Sequence, residues 1–379
     1  MRVLIVGAGV AGLTLAALLR RQGKAPVVID RRPDDADLGY ALALWPHGSR
    51  VLHALGVHEA FVAESEPMLR YTLRDGRGRL IFSSEMPESI KRFGTLGCIS
   101  RPDFIGLLGR ALDGVEVRDG ISLDTLSQAS SAIDVRLTDG AEASFDLVIG
   151  ADGIHSRVRG LLFGRLPERD TGWGCFVWWG DSRLAAEGET TERVGAGSFL
   201  GTYPCRERLC IIAGAPIDVL QPDDPDGRTE RLEALLAPYE IPVRDLLASL
   251  PGDADPLFLW RMADVRAPRW VEGRVALVGD AAAAFLPTAG IGASMALESA
   301  AVLADELSRA DSTYLTNALD LYVKRRRGRV EAAQDQSRRL ARVMFLRSRP
   351  LAFLRDRLLR LSSMERMVGP LIKDLRKPI

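Results

Sequence analysis

The sequence has little of what several classes of protein depend on. Its four cysteines among 379 residues show no CxxC spacing, so neither a disulfide framework nor a cysteine-based metal site is expected. Its 50 basic and 50 acidic residues cancel, which argues against nucleic acid as the main partner. The four histidines have no Ser/His/Asp or metal-ligand spacing, so we assign neither a catalytic residue nor a metal.

Long apolar runs are also scarce. The run from Val3 to Leu19 ends in Arg20-Arg21-Gln22-Gly23 without a small-residue cleavage site, which argues against a signal peptide. No other stretch reaches the length of a membrane-spanning helix. We therefore expect the protein in the cytoplasm. Because 47% of the residues are hydrophobic, we expect a packed globular fold, as a monomer or homodimer.

Apolar spacing predicts parallel strands at Arg2 to Val6 and Pro26 to Asp30, with a helix between them. Residues 40–58 are expected to be helical. A long helix is expected from Gly292 to Ser308, and a mostly antiparallel sheet between about 166 and 260.

Three glycines lie between the first strand and its helix. Gly7 permits a tight turn, Gly9 lets the backbone approach a pyrophosphate, and Gly12 lets helix and strand pack closely. Asp30 ends the next strand, where a carboxylate accepts hydrogen bonds from an adenosine ribose. The pattern predicts a dinucleotide site, but it does not distinguish NAD from FAD.

Two later segments resemble class A flavin monooxygenases of the p-hydroxybenzoate hydroxylase type. Gly150 to Arg159 is similar to their DG segment, and Gly279-Asp280-Ala281-Ala282 with Pro287 and Gly290-Ile291-Gly292 is similar to their GD segment. Arg101 matches a family arginine that contacts the cofactor. The resemblance implies FAD, held by the following residues: Gly7, Gly9, Val10, Ala11, Gly12, Asp30, Arg31, Arg101, Asp152, Gly279, Asp280, Pro287, Gly290, Gly292 and Ala293.

A physical reason exists for the GD segment. Asp280 ends a buried strand, where a carboxylate can hold ribityl hydroxyls. The glycines at 290 and 292 let the backbone approach the flavin, and the following helix points its positive N-terminus there. Two positions depart from the family pattern: Ala283 stands where relatives often have His, and Ser294 where they often have Asn.

The resemblance implies an α/β fold: a Rossmann-like FAD-binding domain of the glutathione-reductase type, an inserted and mostly antiparallel substrate sheet, and C-terminal helices. The expected FAD-binding domain covers 1–70, 99–165 and 266–340. The sheet domain covers 71–98 and 166–265, and the helices 341–379.

The implied reaction takes electrons from NADH or NADPH and oxygen from O2. A C4a-hydroperoxyflavin then hydroxylates or epoxidises a small apolar substrate. Since no second GxGxxG occurs, the nicotinamide has no Rossmann site of its own. Two alternatives stay open, a reductase of the geranylgeranyl-reductase type and a non-redox flavin-bound cyclase or scaffold.

Aromatic side chains are the candidates for a substrate cavity. If several of them line it, the substrate is flat and aromatic or polycyclic. The candidates are Trp45, His47, Trp178, Trp179, Tyr203 and Phe285.

The chain from Leu321 onward contains 17 basic and 5 acidic residues, and residues 351–361 have helical amphipathic spacing. We expect a helix packed on the flavin domain, with membrane-surface contact as the alternative.

Overall fold

The computed structural model describes residues 1–31, 40–129, 132–220, 227–239, 243–250 and 258–376. The elements up to residue 163 are, in chain order, β1 (Val3–Val6), α1 (Val10–Arg21), β2 (Pro26–Asp30), β3 (Ala41–Leu44), α2 (Pro46–Ala54), α3 (His58–Glu64), β4 (Glu66–Pro67), β5 (Arg70–Asp75), β6 (Leu80–Glu85), α4 (Glu88–Lys91), β7 (Gly97–Ser100), α5 (Arg101–Gly109), β8 (Glu116–Asp119), β9 (Leu123–Gln128), β10 (Ile133–Leu137), β11 (Glu142–Phe145), β12 (Leu147–Gly150) and α6 (Arg157–Phe163).

The remaining elements are β13 (Arg169–Asp181), β14 (Glu189–Val194), β15 (Phe199–Cys205), β16 (Arg208–Pro216), α7 (Ile217–Leu220), α8 (Arg228–Leu236), α9 (Val243–Ala248), β17 (Phe258–Arg266), β18 (Val271–Glu272), β19 (Val275–Leu277), α10 (Asp280–Ala283), α11 (Gly292–Ser308), α12 (Leu315–Met344), α13 (Arg349–Leu359) and α14 (Met364–Leu375).

A six-stranded sheet has the order β18-β19-β12-β1-β2-β8, and its pairs are parallel except at the short edge strand β18. All four residues of β1 are buried, as expected for a strand with both faces covered. Helix α1 packs against α11, so the first and last parts of this domain share one core.

A seven-stranded sheet has the order β17-β13-β16-β15-β14-β5-β6. Every pair is antiparallel except β14 with β5. The predicted fold class, a Rossmann-like domain with an inserted and mostly antiparallel sheet, is confirmed. The long helix predicted from Gly292 to Ser308 has those bounds in the structure.

The helix predicted over residues 40–58 is wrong in its first part. Residues 41–44 form β3, which pairs antiparallel with β7, and the helix begins only at Pro46. Proline has a fixed φ and no N–H, so it suits the first position of a helix and not its interior. The segment therefore changes from strand to helix at Trp45.

The C-terminal stretch is helical as predicted, but α13 packs elsewhere than expected. It contacts β6 and the turn between β14 and β15, so it lies on the seven-stranded sheet and not on the flavin domain. Ala352 and Arg355 form its buried face, while Leu354 and Leu358 are exposed. None of the described helices combines the length and apolar character needed to cross a bilayer.

Candidate active site

A cavity of about 690 Å³ is lined by both main sheets and by the C-terminal helices. We call the part around the β1–α1 loop the loop wall; it also contains Asp30, Arg101, Asp280 and residues 290–293. We call the part formed by β5, β13 to β17 and their neighbours the sheet wall. The two walls enclose one continuous space.

The three glycines of the loop wall have different surroundings. Gly7 has φ +114°, and a Cβ there would lie 2.4 Å from the carbonyl oxygen of Ala151. A Cβ on Gly12 would lie 1.9 Å from the Gly7 carbonyl oxygen, so Gly12 serves the packing of α1 and does not line the cavity. Gly9 differs from both: its φ suits any residue, and a Cβ would meet nothing within 4 Å.

Helix α1 begins with free backbone donors, because its N-cap Gly9 has no side chain to cap them. Val10 and Ala11, in its first turn, line the cavity. Asp30 lies beside this turn at the end of β2, and its Oδ2 accepts the Ala8 N–H at 2.5 Å. Arg31 follows on the cavity wall. The helix N-terminus thus presents a positive potential to the cavity.

Asp280 and Arg101 face the cavity on the other side of this loop. Burial among the surrounding protein raises the pKa of Asp280 to about 6, although Arg101 and Arg159 oppose the rise. Arg159, which the sequence reasoning did not single out, donates to the carbonyl oxygens of Ile154 and Ala281. It therefore ties the DG segment to the GD segment.

Asp152 lines the cavity, but its carboxylate caps α6. Oδ1 accepts from the Ser156 hydroxyl at 2.6 Å, and Oδ2 accepts from the N–H groups of Arg157 and Val158. Its burial raises its pKa, which these hydrogen bonds counteract. The main structural role of Asp152 is therefore to accept hydrogen bonds at the N-terminus of α6.

The GD segment brings a second helix N-terminus to the cavity. Gly279 has φ +62° and packs against Ala11, outside the cavity lining. A short turn from Pro287 ends at Gly290, whose φ of +59° is left-handed, and α11 then begins at Gly292 without a side-chain cap. Pro287, Gly290, Gly292 and Ala293 all line the cavity.

The two departures from the family pattern have structural roles here. Ser294 is buried, and its hydroxyl accepts the backbone N–H of Trp45 at 3.0 Å, which joins α11 to the start of α2. Ala283 is buried in α10. Trp45 itself lines the cavity, and its Nε1 is buried with no hydrogen-bond partner among the described residues.

His47 lies outside the cavity lining and is fully buried. Neither ring nitrogen has a hydrogen-bond partner in the described parts of the chain. Burial lowers the pKa of His47 to about 3; Glu298 opposes this shift, and nearby arginines reinforce it. The imidazole is therefore neutral at pH 7.

The polar side chains of the sheet wall include Thr190 and one group of three that are hydrogen-bonded to one another. Glu192 Oε2 accepts from the Tyr71 hydroxyl at 2.5 Å, and Oε1 accepts from the Tyr203 hydroxyl at 2.8 Å. We call these three residues the Glu192 trio. The register explains it: Glu192 pairs with Gly201, which has no side chain, so the Tyr203 ring lies over Gly201 and reaches the carboxylate.

Burial raises the pKa of Glu192, and the two tyrosine hydrogen bonds oppose the rise. The pKa values of Tyr71 and Tyr203 are well above the usual value because of burial and the neighbouring carboxylate. Both phenols therefore keep their protons. Phe285 completes this wall.

Trp178 and Trp179 do not line the cavity. Successive side chains of a strand point to opposite faces, so Trp178 packs on the far side of the sheet from Cys175, and its Nε1 donates to the Leu246 carbonyl oxygen. Trp179 shares the face of Cys175 but lies farther along β13, where Arg208 stacks on it at 4.3 Å.

A family model described as FAD binding domain matches residues 1–337.

The chain belongs to the FAD-binding domain family.

Its relatives in this family include an aurachin C monooxygenase/isomerase from Stigmatella aurantiaca, 29% identical over 97% of this chain and 96% of that protein. A 3-amino-4-hydroxybenzoate 2-monooxygenase from Streptomyces cremeus is 30% identical over 95% of this chain and 92% of that protein. The crystal structure of Klebsiella pneumoniae HpxO with FAD and uric acid has 26% identity and a TM-score of 0.89, covering 99% and 96% of the two chains. The chain is thus an FAD-dependent monooxygenase of the class A aromatic type.

The cavity fits FAD on its own features. The space beside Gly9, the uncapped amides of α1 and the Arg101 guanidinium suit a pyrophosphate. Asp280 and the uncapped start of α11 suit the flavin half. The buried Trp45 Nε1 is a donor that no described residue satisfies.

The Glu192 trio is what sequence reasoning missed, except for Tyr203. Tyr71 and Glu192 are 121 positions apart, and only the parallel pairing of β14 with β5 brings them together. A faint signal exists in Gly201-x-Tyr203, since a glycine two residues before a tyrosine on one strand face leaves space for the ring.

Proposed function

We propose that this FAD-dependent monooxygenase takes electrons from NADH or NADPH and hydroxylates a carbon of a flat aromatic or heteroaromatic compound. One observation supports this above the others: the loop wall and the sheet wall enclose one cavity, so a ring on the sheet wall shares its space with a bound flavin. Two relatives, a urate hydroxylase and a 3-amino-4-hydroxybenzoate 2-monooxygenase, are named for activities on such rings.

The residues predicted from the sequence divide the work of holding FAD. The first-turn amides of α1 and Arg101 would bind the pyrophosphate, and Asp30 with Arg31 would meet the adenosine. Asp280 would accept from the ribityl chain. Gly290, Gly292 and Ala293 would place backbone N–H groups at the pyrimidine edge, where the helix dipole favours negative charge.

When bound, FAD accepts the electrons of the nicotinamide and activates O2. The chain positions the substrate and excludes water from it. The apolar lining of the substrate side includes Ile212, Trp260 and Met262 of the sheet wall and Leu359 and Met364 of the C-terminal helices. Such a wall suits a flat ring.

The test uses purified protein loaded with FAD. An accepted aromatic compound should accelerate NADH or NADPH oxidation and O2 uptake, and the product formed under ¹⁸O2 should carry one labelled atom. A protein that takes up no flavin would overturn the proposal. Turnover that leaves the product unlabelled would favour a reductase instead.

A further inference from the structure

The Glu192 trio is the charged feature of the sheet wall. All three side chains line the cavity and are partly buried. The carboxylate has two oxygens with about four lone-pair positions, of which the tyrosine hydroxyls take two. Glu192 therefore keeps accepting capacity on its cavity side.

Counting protons shows what the trio offers a ligand. Each phenol has a single O–H, and each donates it to Glu192. Both tyrosine oxygens can then only accept. When the Glu192 carboxyl is ionised, the trio presents lone pairs to the cavity and no proton, so the ligand atom that meets it must be a hydrogen-bond donor. A buried carboxylate facing an acceptor or an anion would leave its lone pairs unsatisfied, which is costly.

Arg355 of α13 also lines the cavity, and it is hydrogen-bonded to the β14–β15 end of the sheet wall. Its guanidinium is already occupied. Nε donates to Asp356, Nη1 to the carbonyls of Gly195 and Met344, and Nη2 to the carbonyl of Val194. These bonds use four of its five N–H groups, and Nη2 also lies 2.9 Å from a carboxylate oxygen of Asp356, so Arg355 holds α13 on the sheet and is already paired with an acid of its own helix.

We propose, resting on the function proposed above, that the substrate is a flat ring system with an N–H or O–H donor and no carboxylate, and that Glu192 accepts that donor. Glu192 is then the residue that sets specificity. The inference separates this chain from relatives named for a benzoate substrate, because the carboxylate of Glu192 would repel the carboxylate of a benzoate placed against it.

The experiment measures binding to the oxidised, FAD-loaded protein through the flavin absorption spectrum, so it needs no turnover. Three probes share one ring: 2-naphthol has a donor, 2-methoxynaphthalene has none, and 2-naphthoate has a carboxylate. We expect 2-naphthol to bind at least tenfold more tightly than either of the others. Equal affinities, tighter binding of the naphthoate, or no binding of any probe would overturn the inference.

Glu192→Gln replaces half of the accepting group with a donor and should remove the preference for 2-naphthol. Glu189→Gln is the matched control, since Glu189 lies on the same strand outside the cavity lining. If Glu192→Gln does not fold, Tyr203→Phe tests the same point: loss of one stabilising hydrogen bond should move the pH midpoint of 2-naphthol binding upward. An unchanged preference and pH midpoint would contradict a role for Glu192.

The two proposals fail in different ways. Loss of flavin reduction by NADH and NADPH would contradict the proposed function while leaving the probe affinities interpretable. Normal NAD(P)H oxidation with no donor preference would contradict only the assignment of Glu192.

Discussion

At the residue scale, the buried imidazole of His47 makes a prediction about acid stability. Its folded pKa of about 3 lies below the unfolded value of 6.5, so the unfolded chain binds more protons between those values. Stability is then full above pH 6.5 and falls as the pH drops. Between pH 7 and pH 5 we expect His47 to account for a loss of about 2 kcal/mol.

His47→Asn removes this titration. The difference in unfolding free energy between wild type and variant, measured with urea at pH 7 and pH 5, should shrink by that amount toward acid. A difference that stays constant with pH would show that folding does not shift the pKa of His47, and a difference that grows toward acid would show that the folded protein holds the imidazole charged.

The pKa of Asp280 is shifted in the opposite direction, so its effect on the pH dependence of stability is opposite too. Its folded pKa of about 6 lies above the ordinary 3.8, so the flavin-free protein loses stability as the pH rises through that window. Asp280→Asn should therefore stabilise the flavin-free protein at pH 8, on the order of 1 kcal/mol because the cavity side is open to water. The gain should vanish below pH 3.8.

The same substitution should weaken FAD binding at least tenfold, because an amide would accept less well than a carboxylate from the hydroxyls of the ribityl chain. Thermal unfolding of the flavin-free protein and flavin retention on gel filtration measure the two effects. Asp320→Asn, an exposed residue of α12, is the control and should change neither. A stable variant that keeps its flavin would contradict the assignment.

At the element scale, the two glycines that begin α1 should respond differently to alanine. In Gly12→Ala the new Cβ meets the Gly7 carbonyl oxygen at 1.9 Å, so the helix must move from the strand at a cost of about 3 kcal/mol or more. In Gly9→Ala the Cβ meets nothing, and the loss at the N-cap stays under about 1 kcal/mol.

Gly9→Ala should nevertheless lose FAD, since its methyl group enters the space of the pyrophosphate. Urea unfolding of the flavin-free proteins and FAD titration separate the two glycines. Tight FAD binding by Gly9→Ala would mean that the pyrophosphate lies elsewhere.

Elements whose signals are local could be predicted from the sequence. The βαβ unit and α11 follow from glycine spacing and apolar runs within about 30 residues. The strand at 41–44 could not, because it is held by β7, more than 50 residues away, and a short apolar run fits either structure. Which face of β13 meets the cavity could not be predicted either, because it depends on which side of the sheet the helices cover. That side decides whether Trp178 or Trp179 shares a face with the cavity lining.

At the scale of the whole molecule, residues of α13 and α14 line the cavity, and Arg355 anchors α13. Its buried guanidinium joins α13 to the β14–β15 turn and to the end of α12. Arg355→Met leaves three carbonyl oxygens without their donor, at a cost of about 3 kcal/mol or more. The helices should then detach while the two sheets stay folded.

Detachment would loosen the exposed connection between α12 and α13, where Arg347 is the tryptic site, and would open the substrate side to water. We therefore expect faster tryptic cleavage there, retained FAD, and NAD(P)H oxidation that yields H2O2 in place of hydroxylated product. Arg357→Met is the matched control, because Arg357 lies on the exposed face of the same helix and stacks on Phe353. Equal cleavage and coupling in the two variants would show that the C-terminal helices do not close the cavity, and that the sheet wall alone keeps it dry.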